Sequence, residues 1–265
     1  MIRIAKESDV SCLIELWHSL FQDPTEYIHS FYDNLFEKII VYLLEENREV
    51  IGMIHLLPCI LYPNQKAYYW YAVGIKKEKQ GQGYFKRFMQ DVLKLNCRNG
   101  FVNLCVPAKG LENVYLKNGF SNRYLANDIK YYKKSTQAKQ KILIQDASPE
   151  DFAEIESTKI RPGSTVWNLS FIQYAFFENS SCDGKQIKFL YRKKWYRAFV
   201  IKKESNFILD YHNLTPELIF DVIDEIMEFL RVDQITVRFF GGDFTVGLCD
   251  SDVVRKNSEL TMTLA

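Results

Sequence analysis

Apolar residues along this chain alternate in some stretches and recur at helical spacing in others, and the order of these two rhythms predicts the fold. Ile2 and Ile4 alternate with polar neighbours and predict a short strand. Val10, Leu13, Ile14, Trp17 and Phe21 then recur at helical spacing behind a Ser8 or Asp9 cap. TEYIHSFYDNLFEKI predicts a second helix. IIVYLLEENREVIGMIHLLPCILY predicts two strands joined by a polar turn at Glu45 to Glu49, and KAYYWYAVGI predicts a third. Alternation places Tyr69, Tyr71, Val73 and Ile75 on one face of that third strand, and Tyr68, Trp70 and Ala72 on the other. GYFKRFMQDVLKLNC predicts a helix with Phe85, Phe88, Met89, Val92 and Leu93 on one stripe. GFVNLCVP then predicts a strand, AKGLENVYLKNGF a helix closed by Asn118-Gly119, and YLANDIKYYKK a final strand.

Residues 134 to 141, KSTQAKQK, are polar without periodicity and predict a linker. The opening pattern then recurs. KILIQDASPEDFAEIEST predicts a strand and a helix, with Ser148, Pro149 and Asp151 marking its start. YRAFVIKK and NFILDYHN predict a hairpin, TPELIFDVIDEIMEFLRV an amphipathic helix capped by Thr215, and QITVRFF a strand. The order strand, helix, strands, helix, strand occurs twice, so two related domains are expected, residues 1–135 and 136–265.

Composition narrows the function classes. The chain has 265 residues, 47% hydrophobic and 25% charged, with a formal net charge of +1. This is an ordinary globular balance that gives no global field toward nucleic acid or membrane. The basic run YRKKWYRAFVIKK alternates as a strand with a solvated lysine face would, rather than as a nucleic-acid surface. No apolar run reaches membrane-span length, and the N-terminus lacks a signal-peptide pattern. The six cysteines have no metal-ligand spacing, so a reducing cytoplasm and no metal are expected.

The most informative stretch is VGIKKEKQGQGYFKRFM, where an apolar strand ends at Ile75 and Gln80-Gly81-Gln82-Gly83 opens a helix. A helix start has unpaired N–H groups and the positive end of the helix dipole, and glycine removes the Cβ that would block an anion. The turn therefore suits a phosphate. It matches neither a P-loop nor a complete Gly-x-Gly-x-x-Gly dinucleotide fingerprint. Val73-Gly74-Ile75 followed by Gln80-Gly81-Gln82-Gly83-Tyr84-Phe85 resembles motif A of the GCN5-related N-acetyltransferases (GNAT), with Phe85 where Gly or Ala is usual. The segment VYLKNGF, Val114 to Phe120, resembles a second segment of that family.

The resemblance implies an α/β (α+β) fold of two GNAT-like domains, each a mixed, mostly antiparallel sheet flanked by helices. It implies that amides of Gln82, Gly83, Phe85 and Lys86 hold the pyrophosphate of acetyl-CoA. The end of the strand, Val73 to Ile75, would hold the pantetheine arm and the acetyl carbonyl where neighbouring strands splay. Tyr115 would be the general acid toward the departing thiolate. Ala108 replaces an asparagine common in the family. The preceding strand carries no carboxylate, so the base is open: His55 is one candidate and a core histidine is its alternative, while Glu26, His29 and Asp33 border the acceptor side. The expected activity is acetyl transfer to a primary amine of a small molecule or peptide. A non-catalytic acyl-CoA sensor or scaffold is the competing reading. In the second half, Tyr211-His212-Asn213-Leu214-Thr215-Pro216 stands where the glycines were, so that half is expected to be degenerate. It would complete the acceptor cleft or form an oligomer contact, such as a homodimer.

Overall fold

The computed structural model describes residues 1–133, 142–157, 161–255 and 258–261. The linker expected at 134–141 lies outside the described residues. The strands are β1 (Ile2–Ile4), β2 (Ile40–Glu46), β3 (Glu49–Leu61), β4 (Gln65–Ile75), β5 (Val102–Cys105), β6 (Asn122–Tyr132), β7 (Ile144–Asp146), β8 (Thr165–Val166), β9 (Lys185–Tyr191), β10 (Lys194–Lys203), β11 (Asn206–His212), β12 (Gln234–Phe240) and β13 (Phe244–Cys249). The helices are α1 (Val10–Phe21), α2 (Thr25–Leu35), α3 (Tyr84–Arg98), α4 (Glu112–Leu116), α5 (Pro149–Ser157), α6 (Leu169–Ser181) and α7 (Pro216–Leu230).

The chain forms two compact units. The first is Met1–Arg123 with Gly247–Arg255, and the second is Tyr124–Val246 with Lys256–Ala265. A single cut at residue 135 therefore does not describe the partition, because a C-terminal segment returns to the first unit. Within that unit the strand order is β1-β2-β3-β4-β5, followed by the end of β13. β1 to β4 are antiparallel neighbours, β4 and β5 are parallel, and Leu248 and Cys249 pair antiparallel with Cys105 and Leu104. One face of this sheet packs Ile54, Leu56, Tyr68 and Trp70 against Phe88, Met89 and Val92 of α3. This is the stripe that the helical spacing predicted. The other face packs His55 and Tyr71 against Trp17 of α1 and Phe31 of α2.

The second unit repeats the plan: its strand order is β6-β12-β11-β10-β9-β7, with only β11 and β12 parallel. Its core joins Ile187, Val200, Leu209 and Val237 to Ile219, Val222 and Ile226 of α7. Two elements here escape the periodicity reading. In α6, Phe171, Ile172, Tyr174, Ala175 and Phe176 are buried, but so are Glu178 and Asn179, while apolar Leu169 and Phe177 are exposed, so its sequence shows no clean apolar stripe. The basic run is broken by a turn at Arg192 and Lys193, and Arg197 within it is buried beside Glu154 rather than solvated.

Candidate active site

The site begins with an irregularity in β4. Met53 pairs with Gly74 and His55 with Tyr71, so β4 carries one more residue than β3 between these pairs. That is a β-bulge, and it centres on Ala72, whose φ of 43° is unusual for a residue with a Cβ. An inserted residue reverses which side chains face which side. Tyr69 and Tyr71 face α1 and α2, whereas Val73 and Ile75 join the α3-side cluster with Tyr68 and Trp70. Simple alternation, which grouped Val73 and Ile75 with Tyr71, is corrected by the bulge. Gly74 turns to α1, where an added Cβ would lie 2.5 Å from Leu20 Cδ1.

On the other side of β4, parallel pairing with β5 runs from Ala67 to Trp70 and stops there. Tyr71 to Ile75 continue without a β5 partner. The two strands thus diverge where the bulge begins, and backbone groups on that edge are left outside the ladder. Asn103 supports the fork. Its Oδ1 accepts from Trp70 Nε1 at 2.8 Å and from Asn96 Nδ2 at 2.5 Å, while its backbone and side-chain N–H groups donate to Asp250 at 2.7 Å each.

The Gly-rich turn follows directly. Gly81 and Gly83 have φ of 73° and 83°, and a Cβ at either would meet nothing within 4 Å. Their freedom serves backbone conformation and an open surface rather than close packing. No side chain caps Gly83, and Arg87 N–H to Gly83 O at 3.2 Å is the first bond of the α3 turn. The N–H groups ahead of it lie at an exposed helix start. Gln80 Nε2 donates to Ile75 O at 3.0 Å and Gln82 Nε2 to Glu78 O at 2.8 Å, fixing the turn to the strand end. Glu46 on β2 holds both flanks: it pairs with Lys79 Nζ at 2.5 Å and accepts from the Tyr84 hydroxyl. These contacts hold the Glu46 carboxyl below its usual pKa and raise that of Lys79. Glu46 precedes a hairpin turn and belongs to no motif, so the sequence did not single it out.

Phe85, the departure from the motif, points its ring inward and meets Tyr115 edge-on at 6.1 Å. The two segments that resemble the family are thereby brought together. Tyr115 is only 6% exposed, and burial holds its phenol above the ordinary tyrosine pKa. It stands with Phe120, at 5.5 Å, in the cluster containing Trp70 and Cys105. Lys86 is exposed on the first turn of α3.

His55 is fully buried. Nε2 is 2.8 Å from the Tyr32 hydroxyl and Nδ1 is 3.2 Å from the Ala72 carbonyl, so the neutral ring accepts from Tyr32 and donates to the bulge. Burial pushes its pKa down to about 4, although the hydrogen bonds to backbone oppose this. This environment fits the core alternative, with the ring fixing the bulge. Around it stand Trp17, Phe31 and Tyr71, with the Tyr71 and Tyr27 hydroxyls 2.6 Å apart. Glu26, His29 and Asp33 are exposed on α2 and are not gathered at the bulge. Asp23, which the pattern did not flag, accepts from Trp17 Nε1 at 2.7 Å between α1 and α2.

The second unit provides a comparison within the same chain. β10 and β11 carry a matching bulge, with Asp210 as the extra residue, and β11 pairs with β12 only at Ile208 and Leu209. Here the divergence is bridged by side chains. Arg238 binds Asp210 at 2.7 Å and Asp128 at 2.8 Å, and His212 Nε2 donates to the Arg238 carbonyl, 3.0 Å away. Burial raises the Asp210 pKa despite Arg238 and lowers that of His212 to about 4. The start of α7 is also occupied, because Thr215 Oγ1 accepts from Leu218 N–H at 3.3 Å and Pro216 has no N–H.

Residues 1–121, a little under half of the chain, match the family model of the acetyltransferase (GNAT) domain. The fold has wide structural company. A probable N-acyltransferase from Enterococcus faecalis, a conserved protein of unknown function, superposes with a TM-score of 0.76 at 11% identity, covering 94% of this chain and 71% of that one. A GCN5-related N-acetyltransferase from Anabaena variabilis gives 0.68 at 14%, covering 95% and 71%. Eis1 from Mycobacterium abscessus gives 0.66 at 12%, covering 94% and 73%. At these identities the likeness is one of fold. No curated protein matches the sequence.

Proposed function

We propose that the first unit is an acetyl-CoA-dependent N-acetyltransferase acting on a primary amine of a small molecule or peptide. One observation carries this reading: the unpaired edge of β4 leads into an uncapped helix start at Gly81 and Gly83. An extended thioester arm joined to a pyrophosphate needs that sequence of backbone groups, then helix N–H groups. In the reaction, the neutral amine nitrogen attacks the thioester carbonyl carbon and forms a tetrahedral intermediate. The carbon–sulfur bond breaks, the amide forms, and the thiolate takes a proton. Tyr115, kept protonated by its environment, is the proposed donor. The amine's surplus proton leaves through water, since both nitrogens of His55 are engaged in the core.

The second unit is read as a degenerate GNAT-like domain in a tandem arrangement. The shared bulge supports common ancestry, while Arg238 and Thr215 occupy the groups a cofactor would need. One cofactor per chain is therefore expected. The competing sensor reading is favoured by the buried state of His55 and by a β4 strand without a carboxylate. Acetyl-CoA turnover across a panel of amines, amino acids and peptide N-termini separates the two. Turnover that falls at least about tenfold in Tyr115→Phe supports the enzyme. Tight acetyl-CoA binding with no turnover of any amine supports the sensor.

A further inference from the structure

A second cleft lies in the first unit, on the flank of α3 that faces β1 and the β2–β3 hairpin. Its volume is about 900 Å³, within the range of small-molecule sites. The lining combines an apolar floor with a basic rim. Ile2, Leu44 and Leu95 supply apolar surface, and Arg48, Arg87 and Arg98 supply guanidinium groups. Arg87 and Arg98 recur eleven positions apart on α3, which puts them on one side of the helix.

The charge at the rim is unbalanced. Two of its acidic residues are engaged, Glu45 with Arg3 at 2.7 Å and Glu46 with Lys79 at 2.5 Å, while Asp91 lies exposed 4.0 Å from Lys94, a further cation of the lining. Among the described residues, no carboxylate pairs with Arg48, Arg87 or Arg98. An unpaired guanidinium on a solvated face is ordinary, but three around one cleft with an apolar floor make a specific combination. A planar guanidinium matches the oxygens of a carboxylate or phosphate, and the floor matches a hydrocarbon body. Val73 to Ile75 and Gly81 to Gly83 do not line this cleft, although Glu46 and Tyr84, which flank the Gly-rich turn, do, so it adjoins the helix start from the side of β1 and β2.

We propose that this cleft binds a small anionic amphiphile, a phosphate or carboxylate carried on an apolar body, at a site distinct from that of acetyl-CoA. Isothermal titration with hexyl phosphate, hexanoate, inorganic phosphate and hexanol tests it. Hexyl phosphate or hexanoate, or both, bind the wild-type chain, and whichever binds identifies the head group. Inorganic phosphate and hexanol bind at least about tenfold more weakly, because each lacks one half of the match. The double variant Arg48→Glu/Arg98→Glu loses at least about tenfold in affinity for the anionic probe, with its melting temperature and acetyl-CoA affinity unchanged. Arg48→Gln/Arg98→Gln, which adds no like charge, serves if the first variant folds poorly. The proposal is overturned if neither anionic probe binds, if charge reversal leaves binding intact, or if saturating acetyl-CoA displaces the probe.

Discussion

His55 allows a sharp test, because its catalytic and structural roles predict opposite behaviour. A group whose folded pKa lies below its unfolded value binds fewer protons when folded, so its stability contribution is complete above the unfolded pKa and is lost as pH falls toward the folded one. For His55 the values are about 6.5 and about 4. The interval corresponds to about 3 kcal/mol, present above pH 6.5 and mostly gone by pH 4. His212 has the same two values and adds a similar amount from the second unit. His55→Gln keeps a donor and an acceptor but does not titrate. At pH 7.5 it loses ring contacts with Trp17, at 5.1 Å, and Phe31, at 5.7 Å, and should be destabilised by about 1–3 kcal/mol. Urea midpoints of wild type and variant, measured from pH 7.5 to 4.5, should converge as pH falls. Carboxylates common to both chains cancel in the difference. A difference that stays constant over this range would refute the buried neutral ring, and with it the assignment of His55 to the bulge.

Other consequences are equally measurable. Asp250→Ala removes the acceptor for two buried N–H groups of Asn103 and should lower stability by about 2–3 kcal/mol, with Asp250→Asn losing roughly half of that; a shift in urea midpoint at constant slope checks both. Glu46→Gln should weaken acetyl-CoA binding about two- to tenfold, because the Gly-rich turn loses its tie to Lys79 and must be ordered on binding. Tighter binding in that variant would instead mean that Lys79, once released, reaches the anion.

Much of the fold was legible because most helices and strands are amphipathic and end at turns with recognisable residues. Phe88, Met89 and Val92 announced α3, and Thr215 with Pro216 announced α7. What stayed hidden depends on long-range geometry. Ala72 reads as ordinary strand, and only the pairing with β3 reveals that it sits in a bulge and moves Val73 and Ile75 to the other face. Asn103 and Asp250 are 147 positions apart, so nothing local announces their bonds or the return of the C-terminal segment. α6 exposes apolar Leu169 and Phe177 and buries Glu178 and Asn179, which blurs its apolar face, and the usable signal was Asn168, whose side chain accepts from Phe171 N–H at 2.9 Å. The Gly-rich turn stood out because Gly81 and Gly83 are local features of the chain. Glu46, which braces the turn from another strand, is not.

The account rests on acetyl-CoA binding at the helix start that Gly83 opens, and direct titration of acetyl-CoA into wild type, Gly83→Asp and Gly83→Asn measures this. Both substitutes tolerate a positive φ better than most residues, and the pair separates charge from bulk. A carboxylate about 5 Å from a pyrophosphate should weaken binding at least about a hundredfold, with Gly83→Asn losing much less. Wild-type affinity in folded Gly83→Asp would contradict the account.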